Sequence, residues 1–315
     1  MEPDCFRDVG GLWVHSFFQE DLVRSALSYK PRNDDMFIVT YPKSGTTWTQ
    51  YLSLSILSKG HPPKTLTDFM LASPYLEAMG AEAAEKMPRP GLLKTHMPFH
   101  KQPYSEQAKY IYVIRNPYDV CVSLYYHMKS ITPKTVEDVS FGTFVDMFLS
   151  GNVFYGSYFD HMLSWYEHRN DPNVLFFTYE QMHKEPEFWA VKIADFLGQQ
   201  YGRELRNDPS LLQRVLDASS FEKMQGVFND RFKTIIQDLL DLPPDRAIKS
   251  MEVYKKSVVL PVEEMHEYAG FIRKGIVGDW KAHFTTEEIE KTKAWIAERT
   301  RGSDVMDLWK DVDLP

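Results

Sequence analysis

The segment FIVTYPKSGTTW, residues 37–48, places a lysine, a glycine and several hydroxyl side chains directly after an apolar run. The apolar run predicts a buried strand over Met36–Thr40, and the residues that follow predict a helix over Thr46–Leu57. Backbone N–H groups at the start of a helix have no helical partner, and they can bind anions. Gly45 allows close backbone approach and Lys43 adds a full positive charge. The segment therefore predicts a phosphate-binding loop between a strand and a helix.

The order of residues in this loop differs from that of a Walker A motif. That motif has two glycines with the lysine after the second, whereas Lys43 precedes the only glycine here, Gly45. A nucleotide triphosphatase is therefore disfavoured. A turn that merely uses Ser and Thr to cap a helix would explain one hydroxyl group, but not a lysine, a glycine and the hydroxyls of Ser44, Thr46 and Thr47 together.

A second candidate anion site lies in VIRNPYDVCVSLYY, residues 113–126. Arg115 ends an apolar run, Pro117 opens a predicted helix, and Ser123 follows two turns into that helix. Arginine presents a planar fork that suits phosphate oxygens. The alternative is that Arg115 pairs with the nearby carboxylate of Asp119. We favour a ligand because open α/β sheets bind ligands at the carboxyl ends of their strands.

The alternation of short apolar runs with amphipathic stretches is typical of an α/β protein. The predicted strands are Met36–Thr40, Gly91–His96, Lys109–Arg115 and Asn173–Tyr179. Further helices are predicted from Pro117, twice between Phe141 and Arg169 with a break near Gly151, and over Pro186–Leu197. Alternating elements imply parallel strands joined by right-handed crossovers. We expect one three-layer domain over residues 1–315, with a central, mainly parallel sheet flanked by helices and a P-loop-like phosphosulfate-binding loop.

The composition excludes several classes of function. The chain has 315 residues, is 43% hydrophobic, and carries a net charge of -8 from 36 basic and 44 acidic residues. This balance disfavours general binding to nucleic acid or to an anionic membrane. Any bound anion must therefore be held by a local cluster of donors.

The cysteine content and the N-terminus favour a cytoplasmic protein. Two cysteines, Cys5 and Cys121, are too few for a disulfide framework, and we expect Cys121 to lie in the core. The segment MEPDCFRDVG is not a signal peptide, since it has acidic residues and lacks an apolar stretch. The sequence also has no apolar run long enough to span a membrane and no glycosylation sequon.

Six motifs in order resemble those of the cytosolic sulfotransferases. They are TYPKSGTTW (40–48), LLKTHMPFH (92–100), VIRNPYDVCVSLYYH (113–127), TYEQM (178–182), SSFEKM (219–224) and FIRKGIVGDWK (271–281). These enzymes transfer a sulfuryl group from 3'-phosphoadenosine 5'-phosphosulfate (PAPS) to a hydroxyl or amine of a small acceptor and release PAP. The resemblance implies PAPS as donor and no metal.

The resemblance also implies a set of donor-binding residues. The 5'-phosphosulfate loop would comprise Lys43, Ser44, Gly45, Thr46, Thr47 and Trp48, with Trp48 also near adenine. The 3'-phosphate would be held by Arg115, Ser123, Arg273, Lys274 and Gly275. The adenine site would be lined by Tyr179, Ser219, Phe221 and Met224, where Ser219 replaces the more usual threonine. Two separated anion sites match the two charged ends of PAPS.

The catalytic residues implied by the resemblance are His96, Lys43 and Lys94. His96 would accept the proton of the acceptor, since a neutral imidazole is suited to that task near working pH. Lys43, with the region of Thr46 and Thr47, would stabilise the leaving phosphate oxygen during an in-line displacement. Lys94 would act as a supporting cation. We expect no catalytic role for the other histidines, including His100 and His127.

The acceptor pocket is suggested by aromatic residues. The segment SPYLE suggests Tyr75, and His96 would face the same pocket. Further aromatic candidates are Phe17, Phe18, Phe141, Phe144 and Phe148, any of which could equally lie in the core. An aromatic wall favours a phenol or a catecholamine-like acceptor, and the alternative is a steroid or another alcohol.

Two regions depart from the family pattern. Residues 229–265 are longer than in typical relatives, and they are expected to form an extended lid or a surface insertion. In KAHFTTEEIE, Lys281, Thr285 and Glu290 match the family's dimer motif, but Thr286 replaces its valine. Monomer and homodimer both stay open.

Three other functions compete with this interpretation. A nucleotide or nucleoside kinase lacks support because the Walker A order is missing. A Golgi carbohydrate sulfotransferase is disfavoured by the absence of a membrane anchor and sequons. A non-catalytic nucleotide-binding relative is disfavoured by the presence of Lys43, His96 and Ser123 together.

Overall fold

A four-stranded parallel sheet lies at the centre of the chain. The computed structural model describes residues 5–136, 138–228, 238–239, 241–244, 246–248, 250 and 272–315. Its strands are β1 Phe6–Val9, β2 Leu12–His15, β3 Met36–Thr40, β4 Leu93–Thr95, β5 Lys109–Ile114 and β6 Val174–Thr178. The central sheet has the order β4-β3-β5-β6, and all its neighbouring pairs are parallel. This confirms the predicted α/β class and the predicted strands.

Helices flank the sheet. They are α1 Glu20–Leu27, α2 Thr46–Leu57, α3 Leu66–Ala72, α4 Leu76–Lys86, α5 Pro117–Ile131, α6 Pro133–Val136, α7 Phe141–Ser150, α8 Tyr158–Tyr166, α9 Tyr179–Lys184, α10 Pro186–Leu197, α11 Gln199–Asn207, α12 Pro209–Ala218, α13 Phe221–Phe228 and α14 Thr286–Arg299. The predicted bounds of α2 and α10 are confirmed, as is the break at Gly151, which ends α7 with a positive φ of 77°. Among the described residues, no helix is long and apolar enough to cross a membrane.

The sheet separates two apolar cores because side chains alternate between its faces. Phe37, Val39 and Tyr112 belong to one core, which also includes the buried faces of α5, α7 and α8. Ile38 and Ile111 belong to the other, which includes side chains of α2, α10 and α12. Burial on both faces explains why these strands are continuously apolar rather than alternating.

An N-terminal hairpin was not predicted from the sequence. β1 and β2 pair in antiparallel fashion, and Gly10 and Gly11 form the two-residue turn with φ of 64° and 81°. A Gly-Gly pair between short apolar runs favours such a turn. The hairpin leads directly to Phe17 and Phe18. The expected lid over residues 229–265 lies largely outside the described residues.

The parallel order brings one end of every central strand to the same edge. β3, β4, β5 and β6 all end there, so the segments that follow them lie side by side. Those segments begin with Tyr41, His96, Arg115 and Tyr179. Residues from distant motifs therefore meet at this edge.

We predict that Ile38→Ala lowers the free energy of unfolding by about 2–5 kcal/mol, because it leaves a cavity in a packed core. Ile38 is fully buried in the central strand. The control is Ile276→Ala, since Ile276 is 46% exposed and its truncation should change stability by less than about 0.5 kcal/mol. Urea denaturation measures both, and equal losses would contradict the assigned core.

Candidate active site

A cavity of about 980 Å³ opens at the carboxyl edge of the central sheet. Residues of all six sequence motifs line it. The predicted donor-site and catalytic residues that line it are Lys43, Gly45, Thr46, Thr47, Trp48, Lys94, His96, Arg115, Ser123, Tyr179, Ser219, Phe221, Met224, Arg273, Lys274 and Gly275. Ser44 lies within the same loop and is fully buried. One cavity therefore brings together side chains that the sequence spreads over more than two hundred residues.

The loop between β3 and α2 has a left-handed backbone at two positions. Lys43 has a φ of 71° and Gly45 a φ of 103°. A Cβ atom on Gly45 would lie 2.7 Å from the ring of Tyr179, so both space and conformation require glycine there. Gly45, Thr46 and Thr47, at the start of α2, line the cavity, and N–H groups at a helix start can bind an anion.

The hydroxyl groups of the loop differ in their surroundings. Thr46 Oγ1 lies 2.7 Å from Thr40 Oγ1, which also approaches His96. Ser44 Oγ is buried and has no hydrogen-bond partner among the described residues. An orphaned buried hydroxyl is unfavourable by itself. Its presence beside the turn fits a loop that receives an oxygen-rich ligand.

Lys43 lies in a crowded positive environment. Burial, and to a lesser extent the charges of Lys94, Arg115 and Arg273, together lower its pKa to about 7. Its ammonium lies 3.5 Å from Nδ1 of His127. Like charges gathered in a cavity favour an anion among them.

His96 follows β4 and has a defined tautomer. Its Nδ1 lies 2.8 Å from the carbonyl oxygen of Thr40, which can only accept, so Nδ1 carries the proton. The Nε2 atom is therefore the unprotonated nitrogen, and it has no hydrogen-bond partner among the described residues. Burial lowers the pKa of His96 well below its ordinary value, and the charge of Lys94 adds to this effect. The imidazole is thus neutral at physiological pH.

Lys94 lies beside His96 on the same strand end. Its ammonium sits 3.9 Å above the ring of Tyr75, within cation–π range. Burial lowers the pKa of Lys94 to about 8, although the nearby Glu77 raises it. The rings of Tyr75 and Tyr155 both approach His96 edge-on, with centroids 5.3 Å away.

Arg115 forms the ion pair that the alternative interpretation of its sequence position predicted, and its side chain also faces the cavity. It pairs with Asp119 at 3.3 Å. One Nη donates to the carbonyl of Ile276 at 2.6 Å, whereas its buried Nε has no partner among the described residues. Its guanidinium lies 4.6 Å from the centre of the Tyr179 ring. The arginine is therefore held in place with donor capacity left.

A second group of cations approaches Arg115 from residues 272–275. Arg273 and Lys274 both bond to the carboxylate of Asp279, the latter at 2.7 Å. Gly275 has a φ of 67°, and a Cβ atom there would meet the ring of Phe221 at 2.7 Å. Asp279 thereby holds the two cations in the wall of the cavity.

The expected adenine side is aromatic. Trp48 meets Tyr179 edge-on at 5.6 Å, and Phe221 and Met224 line the same region. The hydroxyl of Ser219 donates to the carbonyl of Val215 at 2.9 Å.

The expected acceptor side receives only some of the candidate aromatic residues. Phe17 and Phe18 stack at 4.4 Å, and both line the cavity with Tyr75. Phe141 packs against Tyr125 and Phe284, and it is not among the described residues that line the cavity. Phe144 and Phe148 lie in the core, as does Cys121.

Sequence reasoning missed several residues of the site. His127 lines the cavity four residues after Ser123 on α5, a spacing that places both on one helix face. That spacing was a usable signal. No sequence signal indicated Tyr155 or Glu77, since both reach the site only through the packing of separate elements.

The residues present fit a ligand with two anionic ends. Lys43, Lys94, Arg115, Arg273 and Lys274 all line the cavity. Arg115 is paired with Asp119, and Arg273 and Lys274 are paired with Asp279. Desolvated cations are unfavourable without a counter-charge, and the lowered pKa of Lys43 reflects that. Within the described ranges, no group of three or more His, Cys, Asp or Glu side chains could hold a metal ion.

The residues of the family's dimer motif are engaged within the chain. Lys281 forms an ion pair with Asp313. Thr285 caps α14 and forms a reciprocal capping box with Glu288, and Thr286 is the first residue of that helix.

Comparison with known proteins identifies related sequences. The family model described as "Sulfotransferase domain" matches residues 33–304. The amine sulfotransferase of Oryctolagus cuniculus is 32% identical over 286 residues, which are 89% of this chain and 85% of that protein. Sulfotransferase 1E1 of Bos taurus is 33% identical, over 95% of this chain and 94% of that protein.

Comparison with solved structures gives the same relationship. The crystal structure of mouse sulfotransferase SULT7A1, complexed with PAP, superposes with a TM-score of 0.69. It is 28% identical and covers 98% of each chain.

We predict that Gly45→Ala destabilises the protein by about 1–3 kcal/mol, because it forces a strained backbone and a clash with Tyr179. The control is Gly226→Ala, within α13, where an added Cβ meets no atom within 4 Å. That change should be neutral or stabilising by up to about 1 kcal/mol. Equal stabilities of the two variants in urea denaturation would contradict the tight turn.

Proposed function

The chain belongs to the sulfotransferase family and is a sulfotransferase, and we propose that it moves the sulfuryl group of PAPS to a hydroxyl or amine of a small acceptor with His96 as the base. The single observation that carries this proposal is that Lys43, Lys94, Arg115, Arg273 and Lys274 line one cavity together with the neutral imidazole of His96. PAPS carries a 5'-phosphosulfate and a 3'-phosphate on either side of its adenosine. The PAP in the related mouse structure supports the same donor here.

We assign the 5' end of the donor to the loop Lys43–Trp48. The N–H groups at the start of α2, the ammonium of Lys43 and the hydroxyls of Ser44, Thr46 and Thr47 would surround its oxygens. The left-handed turn at Gly45 supports this assignment, because no side chain separates the backbone from the ligand.

We assign the 3'-phosphate to the cations that Asp119 and Asp279 hold. Arg115, Arg273 and Lys274 would supply charge, Gly275 close backbone approach, and Ser123 a hydroxyl donor. The adenine ring would lie among Trp48, Tyr179, Ser219, Phe221 and Met224. Since the Ser219 hydroxyl donates to Val215, its oxygen would meet the base as an acceptor.

PAPS supplies the sulfuryl group and a phosphate leaving group. His96 is suited to remove the acceptor's proton because its Nδ1–H is held by Thr40 and its basic Nε2 is left for the cavity. Burial keeps the imidazole neutral before reaction. Lys43 and Lys94 would stabilise the negative charge that develops on the oxygens near them.

The acceptor class follows from the aromatic wall of the cavity. Tyr75 meets His96 edge-on and Phe18 meets Tyr75 edge-on, and these aromatic rings favour a phenol or a catecholamine-like compound. The related amine sulfotransferase supports testing amines beside phenols. Steroids and other alcohols form the alternative class. Transfer of labelled sulfate from PAPS to a panel of these acceptors distinguishes the classes.

We also propose a cytoplasmic location, which rests on the low cysteine content of the chain. A homodimer through Lys281–Glu290 stays a proposal. Its motif residues already bond within the chain, and Thr286 lacks the apolar surface of valine. Light scattering across a range of concentrations measures the oligomeric state.

We predict that His96→Ala lowers kcat by about 10²–10⁴-fold, because the general base is lost, while the Kd for PAP stays within about two-fold. The control is His100→Ala, whose side chain is exposed on the following turn and should leave kcat unchanged. Calorimetry and the sulfate-transfer assay give both quantities. Near-normal turnover in the His96 variant would remove its assigned role.

We predict that Arg115→Ala weakens PAP binding by at least about ten-fold, since an ionic hydrogen bond to a phosphate contributes about 1.5–3 kcal/mol. Binding of AMP, which lacks the 3'-phosphate, should change far less. Comparing both ligands by calorimetry on the wild type and the variant isolates the 3' end. An equal loss of affinity for PAP and AMP would contradict a contact between Arg115 and the 3'-phosphate.

A further inference from the structure

A carboxylate that no sequence motif singled out lies beneath the reactive end of the cavity. Glu77, in the first turn of α4, is fully buried. Its Oε1 accepts the backbone N–H of His96 at 2.7 Å and the hydroxyl of Thr95 at 3.0 Å. A buried carboxylate is unfavourable unless it is hydrogen-bonded, so its retention here calls for a specific reason.

The same carboxylate is connected to the wall of the cavity. The hydroxyl of Tyr155 interacts with Glu77, and that hydroxyl also bonds to the hydroxyl of Tyr75. The Tyr75 ring in turn carries the ammonium of Lys94 on its face. Glu77 thus lies where the base, the supporting cation and two cavity tyrosines meet.

The charged and titratable groups facing Glu77 come from three elements. Strand β4 contributes Lys94 and the following His96, the segment after α7 contributes Tyr155, and the residue before α4 contributes Tyr75. Burial raises the pKa of Glu77 to about 7, against the lowering effect of the N–H of His96, the Thr95 hydroxyl and the charge of Lys94. Conversely, Glu77 raises the pKa of Lys94.

We propose that Glu77 is a positioning residue for sulfuryl transfer, which anchors the backbone of His96 and, as a carboxylate, keeps Lys94 in its ammonium form. The proposal rests on the assigned roles of His96 and Lys94. Two hydrogen bonds fix the strand end, so the imidazole meets the acceptor in one orientation. An opposite charge nearby raises the pKa of a lysine, which extends the pH range over which the cation can stabilise charge.

A purely structural role makes a different prediction. If Glu77 only holds α4 against β4, its substitution lowers the stability of the protein and reduces kcat by the same factor at every pH. A residue that sets the charge of Lys94 moves the basic limb of the kcat–pH profile. When the carboxylate is removed, the pKa of Lys94 falls, so the ammonium and the activity disappear at a lower pH.

The test compares Glu77→Gln with Glu85→Gln, a change on the exposed face of the same helix. For Glu77→Gln we expect the basic limb to move down by about one pH unit, with about ten-fold lower kcat at pH 8.5, because a nearby opposite charge typically shifts a pKa by that amount or more. The Kd for PAP should stay within about three-fold. Glu85→Gln should match the wild type in all three quantities.

The conservative variant Glu77→Asp keeps the charge but shortens its reach to His96. We expect a basic limb close to that of the wild type and a several-fold lower kcat at the optimum. If Glu77→Gln is unfolded and therefore binds no PAP, Glu77→Asp is the variant that tests the positioning role. An unchanged kcat in Glu77→Asp would then overturn the proposal.

The failure of this proposal is distinguishable from failure of the proposed function. If the wild type transfers sulfate from PAPS and Glu77→Gln keeps the wild-type limb, or loses kcat equally at every pH, the positioning role is wrong. If the wild type transfers no sulfate to any acceptor, the proposed function fails and the roles of His96 and Lys94 on which this proposal depends fail with it.

Discussion

The gathering of positive charge around one cavity is the constraint on which the site depends. The pKa of Lys43 is lowered by burial and by the charges of its neighbours Lys94, Arg115 and Arg273. Such an arrangement is unfavourable for folding by itself. When a polyanion binds, its negative charge offsets the repulsion among these cations. The charges that lower the stability of the unliganded protein therefore raise its affinity for the donor.

The parallel sheet brings these cations together, and carboxylates outside the cavity hold them in place. Parallel strands in the order β4-β3-β5-β6 end at one edge. At that edge the backbone can turn tightly at Gly45, because glycine has no side chain to clash with Tyr179. Two carboxylates balance part of the positive charge, since Asp119 pairs with Arg115 and Asp279 holds Arg273 and Lys274. The carboxylate that acts on Lys94 is Glu77, which is buried. The carboxylates around the site therefore orient cations without occupying the place of the ligand.

Local patterns were sufficient to predict the sheet and the main loop. The apolar run of β3, the Pro117 start of α5 and the bounds of α2 and α10 are encoded by residues adjacent in the chain, and the structure confirms them. The family resemblance placed His96 beside Lys94. Features that depend on distant contacts were beyond that reasoning: the tautomer of His96 is set by the carbonyl of Thr40, and Tyr155 reaches the cavity only through tertiary packing. The packing of the half-buried Phe141 against the core likewise depends on neighbours distant in sequence.

The most direct test of the central claim is calorimetric titration with PAP at pH 8 in buffers of different ionisation enthalpy. Lys43 is mostly neutral at that pH when no anion is present, since its pKa is about 7. A bound phosphate would raise that pKa, so binding should draw protons from the buffer. The account predicts saturable heat and net proton uptake. Absence of heat in every buffer, or binding without proton uptake, would contradict it.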